Sequence, residues 1–169
     1  PLALSCAAVI EDGFERAELE HIWESIRRSC EEAGTTVVTG DTKVMGHGEI
    51  DGLVINTTGV AITERVVRDS GLTPGDKILV TGTMGDHGLA VMATRNELAL
   101  DTKLESDVAP LNGLVRRALE RGGDDIVALK DPTRGGLSSA LHEMADKSRV
   151  GVVLDEPSIP MRDEVRAVG

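Results

Sequence analysis

Residues 16–33 read RAELEHIWESIRRSCEEA, and their apolar side chains recur mostly at intervals of three or four residues. This spacing gathers them on one face of an α-helix and leaves the charged side chains on the opposite face. Gly34 follows at the position where helices often end in a left-handed residue. We therefore predict a helix from Arg16 to Ala33, with an apolar face made of Leu19, Ile22, Trp23, Ile26, Cys30 and Ala33.

Short apolar or β-branched runs flank this helix on both sides. Residues 2–9 (LALSCAAV) predict a strand that ends before the polar residues 11–13. Residues 35–39 (TTVVT) predict a second strand that enters a turn at Gly40-Asp41, and residues 53–58 (LVINTT) predict a third. The order strand, helix, strand, strand is typical of an α+β fold.

A second unit follows the turn cluster TPGD at residues 73–76. Behind that turn, strand-like runs alternate with segments of helical spacing. We predict strands at 77–81, 126–129 and 150–154, and helices at 89–100, 111–121 and 137–147. The boundary between the two units is expected within residues 63–72.

The composition excludes some classes of function. The 169 residues carry 29 acidic and 18 basic side chains, a formal charge of −11, whereas binding to nucleic-acid phosphates needs surplus Lys and Arg. No apolar run reaches the roughly 18 residues of a membrane span. Cys6 and Cys30 form no C-x-x-C pair and are expected to be buried, inert thiols. The 19 glycines indicate tight turns or backbone close to a ligand.

Three glycine-containing turns carry the candidate functional residues, and the first is TGDTK at residues 39–43. A carboxylate such as Asp41, at the end of a strand and beside hydroxyls, suits Mg²⁺, which takes hard oxygen ligands together with phosphates and water. Lys43 then offers positive charge to a transferring phosphoryl group. The alternative is a β-turn that uses Gly-Asp for its dihedral angles and leaves the lysine in solvent.

The second turn is GTMGDHG at residues 82–88, and it opens a predicted helix. Backbone N–H groups of such a loop at a helix N-terminus can cradle an anion. The structural alternative is that Asp86 is an N-cap residue. His87 is then an oriented structural imidazole, since no second His or Cys stands at ligand spacing.

The third turn lies within KDPTRGGL at residues 130–137. Pro132 cannot donate a ladder hydrogen bond, so the preceding strand must end there, and Thr133 is a good N-cap for the helix that follows. Arg134 adds positive charge to the positive end of that helix, a conflict that a bound anion would remove. A structural and a functional interpretation both remain open for this turn.

A fourth segment, DEPSIP at residues 155–160, follows a predicted strand. Either Asp155 or Glu156 can serve as a general base. The alternative is that both belong to a solvated loop, where carboxylates usually lie.

In order along the chain, the segments TGDTKV, GTMGDHG, KDPTRGGL and DEPSIPMRDEV resemble closely the HypE family of hydrogenase-maturation proteins. That family belongs to the ATP-binding superfamily of aminoimidazole ribonucleotide synthetase and selenophosphate synthetase. The resemblance covers nearly the whole chain. It implies an α+β, two-domain fold, with a partial N-terminal ferredoxin-like, barrel-forming α+β domain followed by a partial α/β C-terminal domain.

The resemblance also implies a division of the chain. Residues 1–62 would be the second part of the N-terminal ATP-binding domain, 63–72 a linker, and 73–169 the first part of the C-terminal domain. Family members have a glycine-rich start with further acidic metal ligands and a tail that ends in cysteine, neither of which stands in this sequence. We therefore expect a fragment that, alone, turns nothing over and binds nucleotide weakly or not at all.

The activity implied by the resemblance is the ATP-dependent dehydration of a cysteine-bound carboxamide to thiocyanate, which supplies cyanide ligands to nickel–iron hydrogenase. ATP and Mg²⁺ are the implied cofactors. A cytoplasmic homodimer is implied, with the carbamoyltransferase HypF and the HypC–HypD complex as partners and with neither nucleic acid nor membrane. The alternatives are a sister activity such as selenophosphate synthesis, or a non-catalytic dimerisation scaffold.

The same resemblance assigns roles to residues of the four segments. Asp41 would be a metal ligand, and Lys43 the cation near the γ-phosphate or the activated amide. Glu156 would take a proton from the amide nitrogen, and its neighbour Asp155 is the less favoured base. The implied nucleotide-binding residues are Gly40, Thr42, Asp86, His87, Thr133, Arg134, Gly135 and Gly136. All are expected to gather around one triphosphate.

Overall fold

Residues 1–95 and 105–167 are described in this computed structural model, and they group into two units. The first unit comprises Pro1–Val66 and Pro110–Arg116, and the second comprises Val67–Ala109 and Arg117–Gly169. None of the helices within the described ranges has the length and apolar character needed to cross a bilayer.

The first unit is built on a three-stranded sheet with one long helix. Strand β1 (Ala3–Glu11) leads into helix α1 (Arg16–Ala33), which is followed by β2 (Val37–Met45) and β3 (Leu53–Val60). The strand order is β2-β1-β3, with β1 parallel to β2 and antiparallel to β3. The predicted bounds of α1 are confirmed, and Gly34 ends the helix with a φ of 64°.

The predicted turn at Gly40-Asp41 is wrong, because β2 runs straight through it. Pairing with β1 continues from Cys6 opposite Gly40 to Glu11 opposite Met45. Each added residue pair gains backbone hydrogen bonds with the central strand, and this outweighs the weak strand preference of Gly and Asp. Gly40 also fits where no other residue would, since a Cβ atom there would lie 2.0 Å from the carbonyl oxygen of Cys6.

The two faces of the sheet differ in exposure. Ala8 in β1 is buried at 3 % exposure, whereas the adjacent Ala7 is exposed. Because α1 connects two neighbouring parallel strands, it crosses over one face of the sheet. Side chains on the face of Ala7 are therefore open to solvent, and we call this the open face.

The second unit contains helices joined by extended segments. Its helices are α2 (Asp86–Arg95), α3 (Asn112–Gly122), α4 (Gly136–Ser148) and the short α5 (Asp163–Arg166). Helix α3 begins among residues grouped with the first unit. Two 3₁₀ turns lie at Gly123–Asp125 and Glu156–Ser158. The bounds predicted for α3 and α4 hold to within one residue. The helix predicted at 89–100 begins earlier, and the part of it beyond residue 95 lies outside the described residues.

The three strands predicted for the second unit are wrong. Residues 77–81, 126–129 and 150–154 form no β-ladder within the described part of the chain. A β-branched sequence favours extended backbone, but a strand also needs a hydrogen-bonded neighbour. Leu129 N–H does donate to the carbonyl of Arg68 at 3.1 Å, but no ladder develops from this bond among the described residues.

Four apolar side chains of the second unit are buried and pack in its interior. Leu89 of α2, Ala140 and Leu141 of α4, and Val165 of α5 are each at most 9 % exposed. The charged residue Asp86 is 0 % exposed, which is unusual for a carboxylate.

Candidate functional site

Asp41 and Lys43 lie two residues apart on β2 and so project from the same face of the sheet. The register pairs Asp41 with Ala7 and Lys43 with Val9, which places both on the open face. Both are exposed, and Thr42 N–H donates to Asp41 Oδ1 at 2.9 Å. Thr42 itself projects from the opposite face.

The open face carries further polar side chains that motif reasoning missed. Asn56 of β3 is paired with Ala7 and therefore lies on the same face as Asp41. The register also pairs Ser5 with both Thr39 and Thr58, so that hydroxyls form one row across the sheet. The period-two alternation of β1 and β3 was the signal that could have identified them.

A single exposed carboxylate meets part of what Mg²⁺ requires. The ion is usually bound by one or two carboxylates, with phosphate and water oxygens completing its coordination. Asp41 can supply one such oxygen. Within residues 1–95 and 105–167, no group of three or more His, Cys, Asp and Glu side chains is placed to hold a metal by protein ligands alone.

The glycine loop at residues 82–88 is organised around the buried carboxylate of Asp86. The hydroxyl of Thr83 donates to Asp86 Oδ2, and Arg162 Nε lies 3.3 Å from the same oxygen. Asp86 is the first residue of α2, so the alternative prediction that it is the N-cap is wrong. His87 is exposed, and its Nδ1 lies 2.9 Å from Ser106 Oγ.

At the third turn, two consecutive glycines adopt left-handed backbone conformations, with φ of 78° at Gly135 and 60° at Gly136. Gly135 is the N-cap of α4, so the prediction that Thr133 is the N-cap is wrong. The carbonyl of Thr133 instead accepts from Gly136 N–H at 3.0 Å and closes a turn. The glycines therefore carry the chain into the helix, while Arg134 stays exposed.

An ion-pair network supports the base of this turn. Lys130 Nζ lies 3.3 Å from Glu143 Oε2 on α4, and Lys147 Nζ lies 3.6 Å from the same oxygen and 2.6 Å from Asp69 Oδ2. The hydrogen bond with Lys130 lowers the pKa of Glu143, and the one with Lys147 lowers the pKa of Asp69. The same contact with Asp69 raises the pKa of Lys147.

The two candidate bases at residues 155–156 differ in their surroundings. The carboxylate of Asp155 accepts a hydrogen bond from the Ser158 hydroxyl, and its carbonyl accepts from Ser158 N–H at 3.0 Å. Glu156 begins the 3₁₀ turn and is exposed. Asp155 is exposed as well, so the two carboxylates differ in the hydrogen bond that Asp155 accepts from Ser158.

A groove of about 410 Å³ lies beside this turn in the second unit. Its walls include residues 72–78 and 150–155, Leu137 and Leu141 of α4, and Ser158 and Pro160. Most of these side chains are apolar.

Two family models match the chain. The N-terminal domain of the AIR synthase related proteins matches residues 1–63, and the C-terminal domain of the same proteins matches residues 73–167. The chain therefore belongs to the AIR synthase related family. The α+β fold class predicted from the sequence is confirmed.

Within this family, the chain is similar to HypE proteins, as its motifs predict. Carbamoyl dehydratase HypE of Rhizobium leguminosarum bv. viciae is 44 % identical over 99 % of this chain and 48 % of that protein. A chain in the crystal structure of a HypE–HypF complex superposes with a TM-score of 0.95 at 42 % identity, over 99 % of this chain and 55 % of that one. HypE solved in complex with ATP superposes with a TM-score of 0.93 at 39 % identity, over 99 % of this chain and 50 % of that one. The chain spans about half the length of these relatives.

Proposed function

We propose that this chain acts in an ATP-dependent carbamoyl dehydratase of the HypE kind. The observation that carries the proposal is the 42 % identity and 0.95 TM-score with a chain of the HypE–HypF complex, sustained over 99 % of the sequence. The likeness to HypE in complex with ATP supports nucleotide binding in particular. The proposed division is that residues 1–62 belong to the N-terminal domain, 63–72 to a linker and 73–169 to the C-terminal domain.

The proposed reaction converts a carboxamide on a cysteine sulfur into a thiocyanate. The amide oxygen attacks the γ-phosphorus of ATP, and ADP leaves. Loss of the amide protons to base then lets the carbon–oxygen bond break, so that phosphate departs and a carbon–nitrogen triple bond forms. Phosphorylation is needed because an unmodified amide oxygen is a poor leaving group, and the site's task is to position the amide and stabilise charge.

The exposed residues of each unit are suited to different parts of this reaction. In the first unit, Asp41 would contribute an oxygen ligand to Mg²⁺, which neutralises phosphate charge, and Lys43 on the same face would stabilise the transferring phosphoryl group. In the second unit, Glu156 would accept the amide proton. The other proposed nucleotide-binding residues are Gly40, His87, Thr133, Arg134, Gly135 and Gly136. Thr42 projects from the face opposite Asp41, and the Asp86 carboxylate is buried, so neither of these two side chains is proposed to contact the nucleotide.

HypF is the proposed donor of the carboxamide, because it is the protein solved in complex with the similar HypE chain. The homodimer, the HypC–HypD partner and the cytoplasmic location are likewise proposed from the family resemblance.

The test is to supply the intact protein with a cysteine-bound carboxamide and ATP and to measure thiocyanate, ADP and phosphate together. We expect the three products in equal amounts. Lys43→Met and Glu156→Gln should each lower kcat by about 100-fold or more, the scale of losing one positioned charge or a general base.

Matched controls are Lys77→Met and Glu164→Gln, which make the same changes at exposed residues outside the candidate turns. Both should keep the parent kcat. ATP consumption without thiocyanate, or with a selenium donor as the productive substrate, would point to a sister activity. No ATP consumption by the intact protein, with or without a carboxamide, would contradict the proposal.

A further inference from the structure

The turn that carries Arg134 is fixed only loosely by its own residues. Gly135 and Gly136 are both left-handed, and glycine permits this backbone path without imposing it. Helix α4 begins at these glycines with no side-chain cap among the described residues. The turn itself is closed by one backbone hydrogen bond, from Gly136 N–H to the carbonyl of Thr133 at 3.0 Å. The position of Arg134 therefore depends on contacts made outside the turn.

An ion pair joins the two arms of the chain on either side of this turn. Lys130 lies in the arm before the turn, and its Nζ is 3.3 Å from Glu143 Oε2, about two helical turns beyond the start of α4. The Lys130 side chain is 25 % exposed, so its end of the pair is better shielded from water than an ordinary surface lysine. The contact closes a loop of chain that has Arg134 at its tip.

Residues 68–72, at the end of the proposed linker, are attached to the arm before the turn. Leu129 N–H donates to the carbonyl of Arg68 at 3.1 Å. Gly71 lies against the same arm, where a Cβ atom would be 2.0 Å from the carbonyl oxygen of Val127. All of these residues belong to the second unit. This arm and the segment 68–72 therefore pack as one piece.

The same segment is also attached to α4, the arm after the turn. Asp69 Oδ2 lies 2.6 Å from Lys147 Nζ, and Leu72 N–H donates to Ser148 Oγ at 3.2 Å. Lys147 Nζ lies 3.6 Å from Glu143 Oε2 as well, so the carboxylate that joins the two arms is tied to the segment too. Both arms of the turn are therefore held by one short stretch of backbone.

We call residues 68–72, Lys130, Glu143 and Lys147 the brace. Resting on the proposed function, we propose that the brace holds Arg134 in position to bind the phosphates of ATP. The members of the brace are positioning residues, because none of them is proposed to touch the nucleotide. The side chains of Asp69, Glu143 and Lys147 are 29 % to 48 % exposed, and ion pairs at such positions add little to global stability. Their loss should therefore loosen the turn without unfolding the second unit.

The experiment measures ATP consumption by the intact protein, supplied with a cysteine-bound carboxamide, as the ATP concentration is varied. Arg134→Met removes a charged donor to phosphate and should raise KM for ATP by about tenfold or more. Glu143→Gln and Asp69→Asn should each raise it about threefold to tenfold and change kcat by less than about twofold, since a phosphate contact acts before and during the reaction. Glu164→Gln and Asp146→Asn make the same changes at exposed residues outside the brace and should keep the parent KM.

Two further variants separate positioning from a general effect on the protein. If Glu143 acts through Arg134, the double variant Arg134→Met/Glu143→Gln should have the KM of Arg134→Met alone. Lys147→Arg keeps a positive charge between the two carboxylates and should stay within about twofold of the parent KM. Lys147→Met should raise KM to the same extent as Glu143→Gln.

Amide hydrogen exchange tests the brace without any measurement of activity. Gly136 N–H closes the turn, so its exchange should accelerate in Glu143→Gln. Leu89 N–H, which donates to the carbonyl of Gly85 at 3.1 Å in the glycine loop, should exchange as in the wild type.

The outcomes separate the two proposals. An intact wild type that consumes no ATP overturns the proposed function. Unchanged exchange at Gly136 in Glu143→Gln overturns the brace whatever the activity. With an active wild type, a parent KM in Arg134→Met, or in both Asp69→Asn and Glu143→Gln, overturns the brace alone. An additive rise of KM in the double variant also overturns it.

Discussion

Glu11 and Gly48 are 37 residues apart in the sequence, and the carboxylate of the first accepts a hydrogen bond from the backbone N–H of the second at 2.6 Å. The other oxygen of Glu11 accepts from Gly52 N–H at 2.9 Å. These bonds, more than the nearby His47, hold the pKa of Glu11 below its ordinary value of 4.5. One carboxylate therefore secures the loop that joins β2 to β3.

This relationship makes the stability of the first unit sensitive to acid. Because the folded-state pKa of Glu11 lies below the unfolded one, its stabilisation is present above about pH 4.5 and is lost as the pH falls through the folded value. Glu11→Gln should lower stability at pH 7 and flatten the dependence on pH below 4.5. Urea titrations across this range measure both effects. Glu32→Gln, an exposed change on α1, should keep the parent slope.

Gly40→Ala should destabilise the sheet. The new Cβ atom would meet the backbone oxygen of Cys6 at 2.0 Å, and a backbone atom in a paired strand cannot turn away. We expect a loss of about 2 kcal/mol or more in the free energy of unfolding, the scale of overpacking. Gly151→Ala, where nothing lies within 4 Å of the added atom, should change stability by less than about 0.5 kcal/mol. Equal effects of the two substitutions would show that β2 and β1 are not paired at Gly40.

Gly135→Ala should combine two penalties at the start of α4. A non-glycine residue at φ 78° costs about 1–2 kcal/mol, and the Cβ atom would also lie 2.0 Å from Ser139 Oγ. Ser139→Gly removes the second penalty but costs up to about 1 kcal/mol as a glycine inside α4, so it is also measured alone. Chemical denaturation of the two single variants and the double variant separates the terms. If the double variant loses the sum of the two single losses, the contact with Ser139 is not the cause.

Lys147→Met should loosen the network that supports the third turn. The pKa of Lys147 is raised, so its stabilisation is present below its ordinary value of 10.5 and is lost as the pH rises through the folded value. The pKa values of Asp69 and Glu143 are lowered, so the same network also weakens in acid. Thermal unfolding at low and high salt should show a salt-dependent loss in Lys147→Met. Lys77→Met is the control, and its thermal stability should stay close to that of the parent. An equal loss of thermal stability in Lys77→Met would contradict the role of the network.

Local patterns in the sequence were sufficient for the helices and for part of the sheet. The apolar spacing of residues 16–33 and the glycine behind them predicted α1 to the residue. The same reasoning located α3, α4, β1 and β3 to within one or two residues at each end, because these elements agree with their own periodicity. The motifs also identified the family correctly, since glycines and charged residues in fixed order reflect the backbone geometry that they impose.

Contacts between distant residues decided the rest. β2 continues through Gly40-Asp41 because β1 pairs with it, whereas residues 77–81 stay without a ladder because no described strand lies beside them. The cap of α4 is a local exception: Gly135 takes this position in place of Thr133 because two left-handed glycines set the path of the chain. Asp86 is buried against Arg162, a residue from a distant part of the sequence. Sequence periodicity reports which face of an element is apolar, but hydrogen-bond partners and compensating charges come from segments that only the folded chain brings together.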